Sequence, residues 1–425
     1  MEVWVLMIVF TVLLMAGVPI AFSLGISSLS YLILADIPLT ILPQRFYAGM
    51  DSFVLLCIPG FILAGNLMNA GNITDRIIKF SDAMFGHIRG GLGLANVGGS
   101  MIFGGISGTA IADTTSIGAV MIPGMAKSGY DKPFAAAVTA ASSTVGPIIP
   151  PSVPMIIVGS LTSISVGQMF LAGALPGFLL GIGMLITTYV LSRIKSYPKG
   201  ERFSFSRLLK EGKGALGALF LVFIVLYGII GGVFTPTEAS IVASLYALIA
   251  GCFFYKTLTF KKLPGILIDT AIATTALMTL VGMANVFAWI LASENIPQLL
   301  ADGILSITDN PILVILFINL LLLFVGSFME TIAALIILFP ALLKVAEGVG
   351  MDPVHFGVMA VLNLMIGLTT PPVGVCLFVA SEIAETPLGS VIKALWPYLL
   401  CNLIVLLMVA YIPQLSLWLP ALFKN

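Results

Sequence analysis

The stretch STVGPIIPPS, residues 143–152, decides how this chain is read. It places three prolines and a glycine inside a long apolar run. A proline in a helix interior withholds a backbone donor and clashes with the preceding turn, so no helix passes through such a segment intact. A second interruption, GLTTPPVG, stands at 367–374. In hydrocarbon every unpaired backbone group is costly, so broken backbone survives there only where it lines a polar cavity or is buried in protein.

Composition supplies the hydrocarbon. The 425 residues are 59% hydrophobic and 9% charged, with a mean hydropathy of +1.13. Apolar stretches recur from end to end, at 3–18, 19–35, 52–70, 92–126, 133–165, 169–192, 215–235, 237–255, 264–292, 311–346, 354–385 and 389–411, with a short one at 412–423. This is the pattern of an all-α, polytopic membrane protein; the alternating segments of a β-barrel are absent from the sequence. A formal net charge of zero argues against a nucleic-acid partner. The four cysteines are scattered singly and read as small apolar fillers. The first segment lacks a basic leader and a small-residue cleavage site, and reads as a retained membrane helix. Residues 72–89 alternate charged and apolar side chains at helical spacing, as an amphipathic surface helix does.

The two halves resemble each other. Pro19 and Ser23 correspond to Pro236 and Ser240, Asn96 to Asn319, Asp113-Thr114 to Glu330-Thr331, Pro123 to Pro340, GPIIPP (146–151) to GLTTPP (367–372), and Pro176 to Pro397. The order is kept throughout, which indicates a structural repeat. It divides the chain into 1–192, a polar connector at 193–213, and 214–425. Each half holds a hairpin (92–126; 311–346) followed by a broken helix (133–165; 354–385). With re-entrant hairpins and the amino terminus outside, 16 of the 19 Lys and Arg fall on the inner face, including those of the connector, and only Arg45, Lys344 and Lys424 fall outside. The outer loop 293–310 carries Glu294, Asp302 and Asp309. Five crossings per half then invert the second repeat relative to the first.

The chemistry follows from helix ends. Exposed carbonyls with Ser or Thr hydroxyls suit a small cation, and exposed N–H groups suit a carboxylate. Each half has a hairpin tip, FGGISGTAIADTT (103–115) or VGSFMETIAA (325–334), and an interrupted helix. Asp113 and Glu330 are the acidic residues deep within the hairpins; they either face a cavity or cap their own helices. Asn66, Asn96, Asn285, Asn319 and Asn363 are expected to bridge helices, and His87 and His355 to be structural. No HExxH or phosphate-binding GxxxxGK[ST] motif occurs, so the chain reads as a non-enzyme, a cation-coupled secondary transporter built from inverted repeats.

The segments GGISGTAIADTTSIGAVMIPGM (104–125), GPIIPPS, GSFMETIAALIILFPAL (326–342) and GLTTPPVGVCLF (367–378) resemble the large membrane subunit of the tripartite ATP-independent periplasmic (TRAP) transporters over essentially the whole chain. The resemblance implies an elevator-type fold and Na⁺-coupled import of an organic acid, an acidic sugar such as sialic acid or a C4-dicarboxylate, across a bacterial inner membrane with both termini periplasmic. It implies two protein partners: a small four-helix membrane subunit and a periplasmic substrate-binding protein. The rival is a stand-alone Na⁺/dicarboxylate symporter. Carried over by motif, one Na⁺ site uses Ser107, Gly108, Thr109, Gly146 and Pro150, and the other uses Gly326, Ser327, Gly367, Thr370 and Val373. Substrate is expected near Asp113, Thr114, Ser152, Glu330 and Thr331.

Overall fold

Prolines and polar caps set most helix starts, and the chain ends its helices where those signals recur. The computed structural model describes residues 2–162, 164–308 and 310–423. Asp309 and Lys424, used in the charge distribution above, and Ser163, in the first broken segment, lie outside the described residues. Every element named among them is helical, and the extended pairing there is one isolated bridge between Arg89 and Lys199.

The first half runs α1 (Glu2–Met15), α2 (Ile20–Leu34), α3 (Ile41–Met50), α4 (Cys57–Ala70), α5 (Ile73–Phe85), α6 (Gly91–Ser107), α7 (Ala110–Lys127), α8 (Lys132–Ser143), α9 (Val153–Leu161) and α10 (Val166–Ile194). A non-helical connector, 195–204, leads to α11 (Phe205–Ile230), where Ser204 accepts a hydrogen bond from the Arg207 N–H. Next comes α12 (Pro236–Ile249), launched by a reciprocal cap between Thr235 and Glu238 with proline in the first turn. It is followed by α13 (Leu263–Ser293), α14 (Ile296–Ile307), α15 (Pro311–Gly326), α16 (Thr331–Gly348), α17 (Pro353–Gly367), α18 (Val375–Ala384), α19 (Leu388–Tyr411) and α20 (Gln414–Leu422). The surface helix expected at 72–89 is α5, whose buried face carries Ile73, Ile77, Ile78 and Ser81 against α6 and α11. Two helices, α3 and α14, stand where the sequence reading had left loops.

Several helix pairings recur in both halves. Helix α1 packs on α2 as α11 packs on α12, and α2 meets α13 as α12 meets α4. Helix α6 packs on α8 as α15 does on α17. The second pieces of the broken helices cross over: α9 lies against α16 and α17, and α18 against α7 and α8. Each half therefore completes the other's core.

Among the described residues, seven helical stretches are long and apolar enough to cross a membrane: Phe53–Ala70, Val166–Ile194, Phe205–Ile230, Pro236–Phe254, Leu263–Ser293, Thr331–Gly348 and Leu388–Tyr411. One of them, Thr331–Gly348, is an arm of the second hairpin, so length alone does not separate hairpin arms from spans.

The hairpins meet the broken helices through glycine. A β-carbon on Gly104 would stand 2.0 Å from the Gly146 Cα, and one on Gly367 would stand 2.6 Å from the Gly326 carbonyl carbon. Both contacts are backbone on backbone, and neither side can yield by rotating a side chain. Gly104→Ala is expected to cost about 1–3 kcal/mol through overpacking. Gly124→Ala, where a β-carbon meets nothing within 4 Å, serves as the control. The thermal midpoint of the purified protein should fall for the first and hold for the second; equal midpoints would show that the contact is not a constraint.

Candidate functional site

The first hairpin turns because α6 ends on a left-handed glycine. Gly108 has φ of +64° and its N–H reaches the Gly104 carbonyl at 3.0 Å, a conformation glycine adopts without penalty. Ser107 donates weakly to the Thr109 carbonyl at 3.4 Å, and Thr109, extended, starts α7. The tip lies on the first break: β-carbons on Gly105 and Gly108 would come 3.2 and 3.1 Å from the Pro150 and Pro151 carbonyl oxygens. The structure thus brings Ser107, Gly108, Thr109, Gly146 and Pro150 together. In the second half Gly326 touches Gly367, and the Gly374 N–H points to the Ser327 carbonyl at 3.4 Å, which gathers Gly326, Ser327, Gly367 and the 370–374 turn. Thr370 spends its hydroxyl proton on the Ile366 carbonyl at 2.9 Å, leaving its lone pairs. The Pro150–Pro151 and Pro371–Pro372 bonds are both cis.

Polar seams hold each hairpin to its broken helix. Asn96 donates to Thr139 at 2.6 Å, Ser100 and Ser142 are 3.0 Å apart, and Thr114 donates to Ser143 at 2.6 Å. In the other half Asn363 donates to the Asn319 side chain at 2.8 Å. Asn66 donates to Thr270 at 2.9 Å, linking α4 to α13. Four of the five amides noted in the sequence therefore bridge helices. His355 is buried and its Nε2 lies 3.3 Å from the Ala410 carbonyl.

The residues expected around substrate stand at helix starts and in buried seams. Ser152 caps α9, accepting from the Met155 N–H and donating to the Pro147 carbonyl; it fixes the break. Thr114 is buried in the α7–α8 seam. Glu330 caps α16, one carboxylate oxygen accepting from the N–H groups of Ile332 at 2.8 Å and Ala333 at 3.3 Å. Thr331 is buried behind it. Asp113 is fully buried and caps no helix, with the Ser100 hydroxyl as a polar neighbour. The dipeptides Asp113-Thr114 and Glu330-Thr331, though alike in sequence, are not structural equivalents. Glu330 is the cap of its helix, and the residue in that position on α7 is Thr109. Asp113 stands four residues, about one turn, further in.

A cavity of about 200 Å³ opens beside the first tip, between α4, α6, α7 and α13. Its polar wall is Asn66, Asn69, Ser107, Thr109 and Ser116, with Asn69 donating to Ser116 across it at 3.2 Å. No Lys, Arg, Asp or Glu lines it, nor do any of the five residues expected to contact substrate. Asn69 and Ser116 were not singled out in the sequence; their trace there was only polarity inside apolar helices.

Interrupted helices locked tip to break, beside an uncharged cavity with one polar wall, define a helical protein with membrane-spanning character. The family model for the tripartite ATP-independent periplasmic transporter DctM component matches residues 7–415. The chain is 44% identical over 415 residues to the sialic acid TRAP transporter large permease protein SiaM of Vibrio cholerae, covering 97% of this chain and 96% of that one. It is 39% identical over 447 residues to the C4-dicarboxylate TRAP transporter large permease protein DctM of the same organism, covering 100% and 99%. Its fold is shared with the YdaH transporter of Alcanivorax borkumensis, with a TM-score of 0.60 at 17% identity over 90% of this chain and 88% of that one. The chain belongs to the DctM component family of TRAP transporters, a family of large membrane permeases.

Glu330→Ala should lower the thermal midpoint by the loss of a cap, about 1 kcal/mol, and Glu330→Gln, which keeps an acceptor oxygen, should recover most of it. Equal losses in the two variants would assign the carboxylate a role beyond capping.

Proposed function

We propose that the chain is the translocating subunit of a Na⁺-coupled importer of an organic acid, handed over by a periplasmic binding protein and supported by a small four-helix membrane subunit in a bacterial inner membrane. The observation that carries this reading is the paired closure of tip on break, Gly104 on Gly146 and Gly326 on Gly367. Each closure gathers uncharged oxygen donors from two chain segments, the donor set a hard monovalent cation prefers. Ser107, Gly108, Thr109, Gly146 and Pro150 hold one Na⁺; Gly326, Ser327, Gly367, Thr370 and Val373 hold the other.

The solute occupies the cavity at the first tip. Its carboxylate has no cationic side chain there to pair with. Helix α7 starts at the cavity edge without a side-chain cap on its first N–H groups, and these, with the adjacent Na⁺, supply the positive potential. Asn66, Asn69 and Ser116 read the neutral part of the solute. Asp113, Thr114, Ser152, Glu330 and Thr331 act from behind, keeping helix starts and seams in place. The relatives named for sialic acid and for C4-dicarboxylates bracket the solute class, an acid bearing further hydroxyl or carboxyl groups. The two inverted repeats carry re-entrant hairpins as a moving body against α1–α4 and α11–α13, with both termini periplasmic.

Uptake of labelled solute is measured in proteoliposomes holding the chain with its small subunit, with binding protein outside. It should disappear when Na⁺ is replaced by K⁺ at equal ionic strength, and persistence in K⁺ would overturn Na⁺ coupling. Uptake without binding protein would instead favour a stand-alone symporter. Ser107→Ala and Thr370→Ala should each raise the half-saturating Na⁺ concentration roughly tenfold, as the loss of one hydrogen-bond-strength contact to a charge implies. Sidedness is read separately: a cysteine at Ser204 should resist an impermeant thiol reagent in intact cells.

A further inference from the structure

The basic residues near the 195–204 connector fall into two groups. Arg207 is paired with Asp82 at 2.6 Å and Glu201 at 3.0 Å, Lys195 with Asp131 at 2.8 Å, and Lys132 with Glu385 at 3.6 Å. The Lys195 ammonium and then the Tyr197 hydroxyl hold the Asp131 carboxyl below its usual range. Arg89, Arg193 and Lys199 have no carboxylate partner among the described residues. These three, with His87, Ile88 and Tyr189, line a single pocket of about 340 Å³ that no acidic residue enters.

The pocket is built by backbone. The Gly200 N–H donates to the Gly86 carbonyl at 3.0 Å, the Gly90 N–H donates to the Pro198 carbonyl at 3.1 Å, and the bridge between Arg89 and Lys199 lies between them. Gly90 takes φ of +78°, and a β-carbon there would come 2.1 Å from the Ser192 hydroxyl oxygen. A β-carbon on Gly200 would reach 2.7 Å from the Gly86 carbonyl. The turn after α5 is thereby clasped to the connector, which fixes where Arg89 and Lys199 leave the chain. On the opposite wall the Arg193 guanidinium lies 5.2 Å over the Tyr189 ring. This contact orients a flexible cation without neutralising it. Three cations held together without a counter-charge repel one another, and the arrangement is relieved by an anion between them. Arg193 is in the last turn of α10, a stretch long enough to span a membrane, so the pocket stands at the polar end of a span, at headgroup level. Planar guanidinium groups beside an ammonium match phosphate oxygens.

We propose that this pocket binds a phosphate group, carried by an anionic phospholipid headgroup or by a free phosphate ion. The site is independent of which solute is transported. It bears on transport through its place, because it joins the end of α5 to the start of the first hairpin.

The test uses the purified full-length chain in detergent, titrated separately with phosphatidylglycerol, phosphatidylcholine and inorganic phosphate, reading the thermal midpoint and lipid adducts by native mass spectrometry. Phosphatidylglycerol should raise the midpoint and persist as an adduct where phosphatidylcholine does not, and Arg89→Gln with Arg193→Gln should weaken that binding roughly tenfold or more. The paired control Lys210→Gln with Lys213→Gln removes the same charge from exposed positions on α11 and should leave it unchanged. A midpoint shift from inorganic phosphate alone, abolished by the pocket variant, would identify the free ion as the source. Should the double variant fail to fold, Lys199→Gln, whose backbone bridge is retained, takes its place with a smaller expected loss. Wild-type binding by the pocket variant, or equal loss in the control, would overturn the proposal.

Discussion

The structure depends on two places where a hairpin backbone touches a broken-helix backbone with no side chain between. Gly104 against Gly146 and Gly326 against Gly367 are so close that the missing β-carbons set the distance. A larger residue at Gly104 or Gly367 would push the tip away from the break, and the oxygens of the two segments could not converge as the proposed cation sites require. The first contact is the tighter: a β-carbon on Gly104 would sit 2.0 Å from the Gly146 Cα, whereas one on Gly326 would sit 3.3 Å from the Gly367 Cα. The two tips also differ in sequence, SGT against GSF. The repeats share an architecture without being copies, so two cation sites built on them need not have equal affinity.

The breaks were legible in the sequence because proline and glycine act locally: a Pro-Pro step in an apolar run has few ways to be accommodated. The helical membrane class was legible from composition and the recurrent apolar stretches, and family membership from the hairpin and break motifs. The bridging amides were legible from polarity alone, since an amide inside an apolar helix has to find a partner. Helices α3 and α14 were not. The α14 sequence, IPQLLADGILSI, is a short amphipathic helix between longer ones, and its one charge, Asp302, together with Glu294 and Asp309 on either side, reads as loop. The candidate substrate residues expose a different limit. Spacing tells which side of a helix a residue occupies, not what stands opposite. Asp113 and Glu330 align by residue type, yet one is an acid buried within its helix and the other a cap. The alignment had slipped by four residues, one turn, which nearly preserves the helical face and so leaves no mark in the hydrophobic pattern.

Capping separates the helix starts near the breaks by role. Ser152 occupies the start of α9 and Glu330 the start of α16, each supplying an oxygen to the first-turn N–H groups. The start of α7 has an extended threonine and no side-chain cap, and Thr109 belongs to the cavity wall. A helix start left open beside a cavity keeps its partial positive charge available for something other than the protein. The start of α18, at Gly374, is likewise without a side-chain cap; of the two open starts, the one at α7 borders the cavity and is where the proposed acidic solute would gain most.

Charge bears on the proposed coupling. Uncharged oxygens line both the closures and the cavity, so the empty site carries no formal charge to drag through a low-dielectric barrier. A cation alone makes the site positive, an organic acid alone makes it negative, and either state raises the cost of burial. Cation and carboxylate bound together cancel much of that charge. A site made of carbonyls, hydroxyls and amides therefore favours movement when empty or when jointly loaded, and disfavours the half-loaded states that would dissipate the ion gradient. A carboxylate ligand in the closure would leave the empty site negative and bias it toward carrying the ion alone. Keeping Asp113 out of the cavity wall and spending Glu330 on a helix cap are thus consistent with the same requirement.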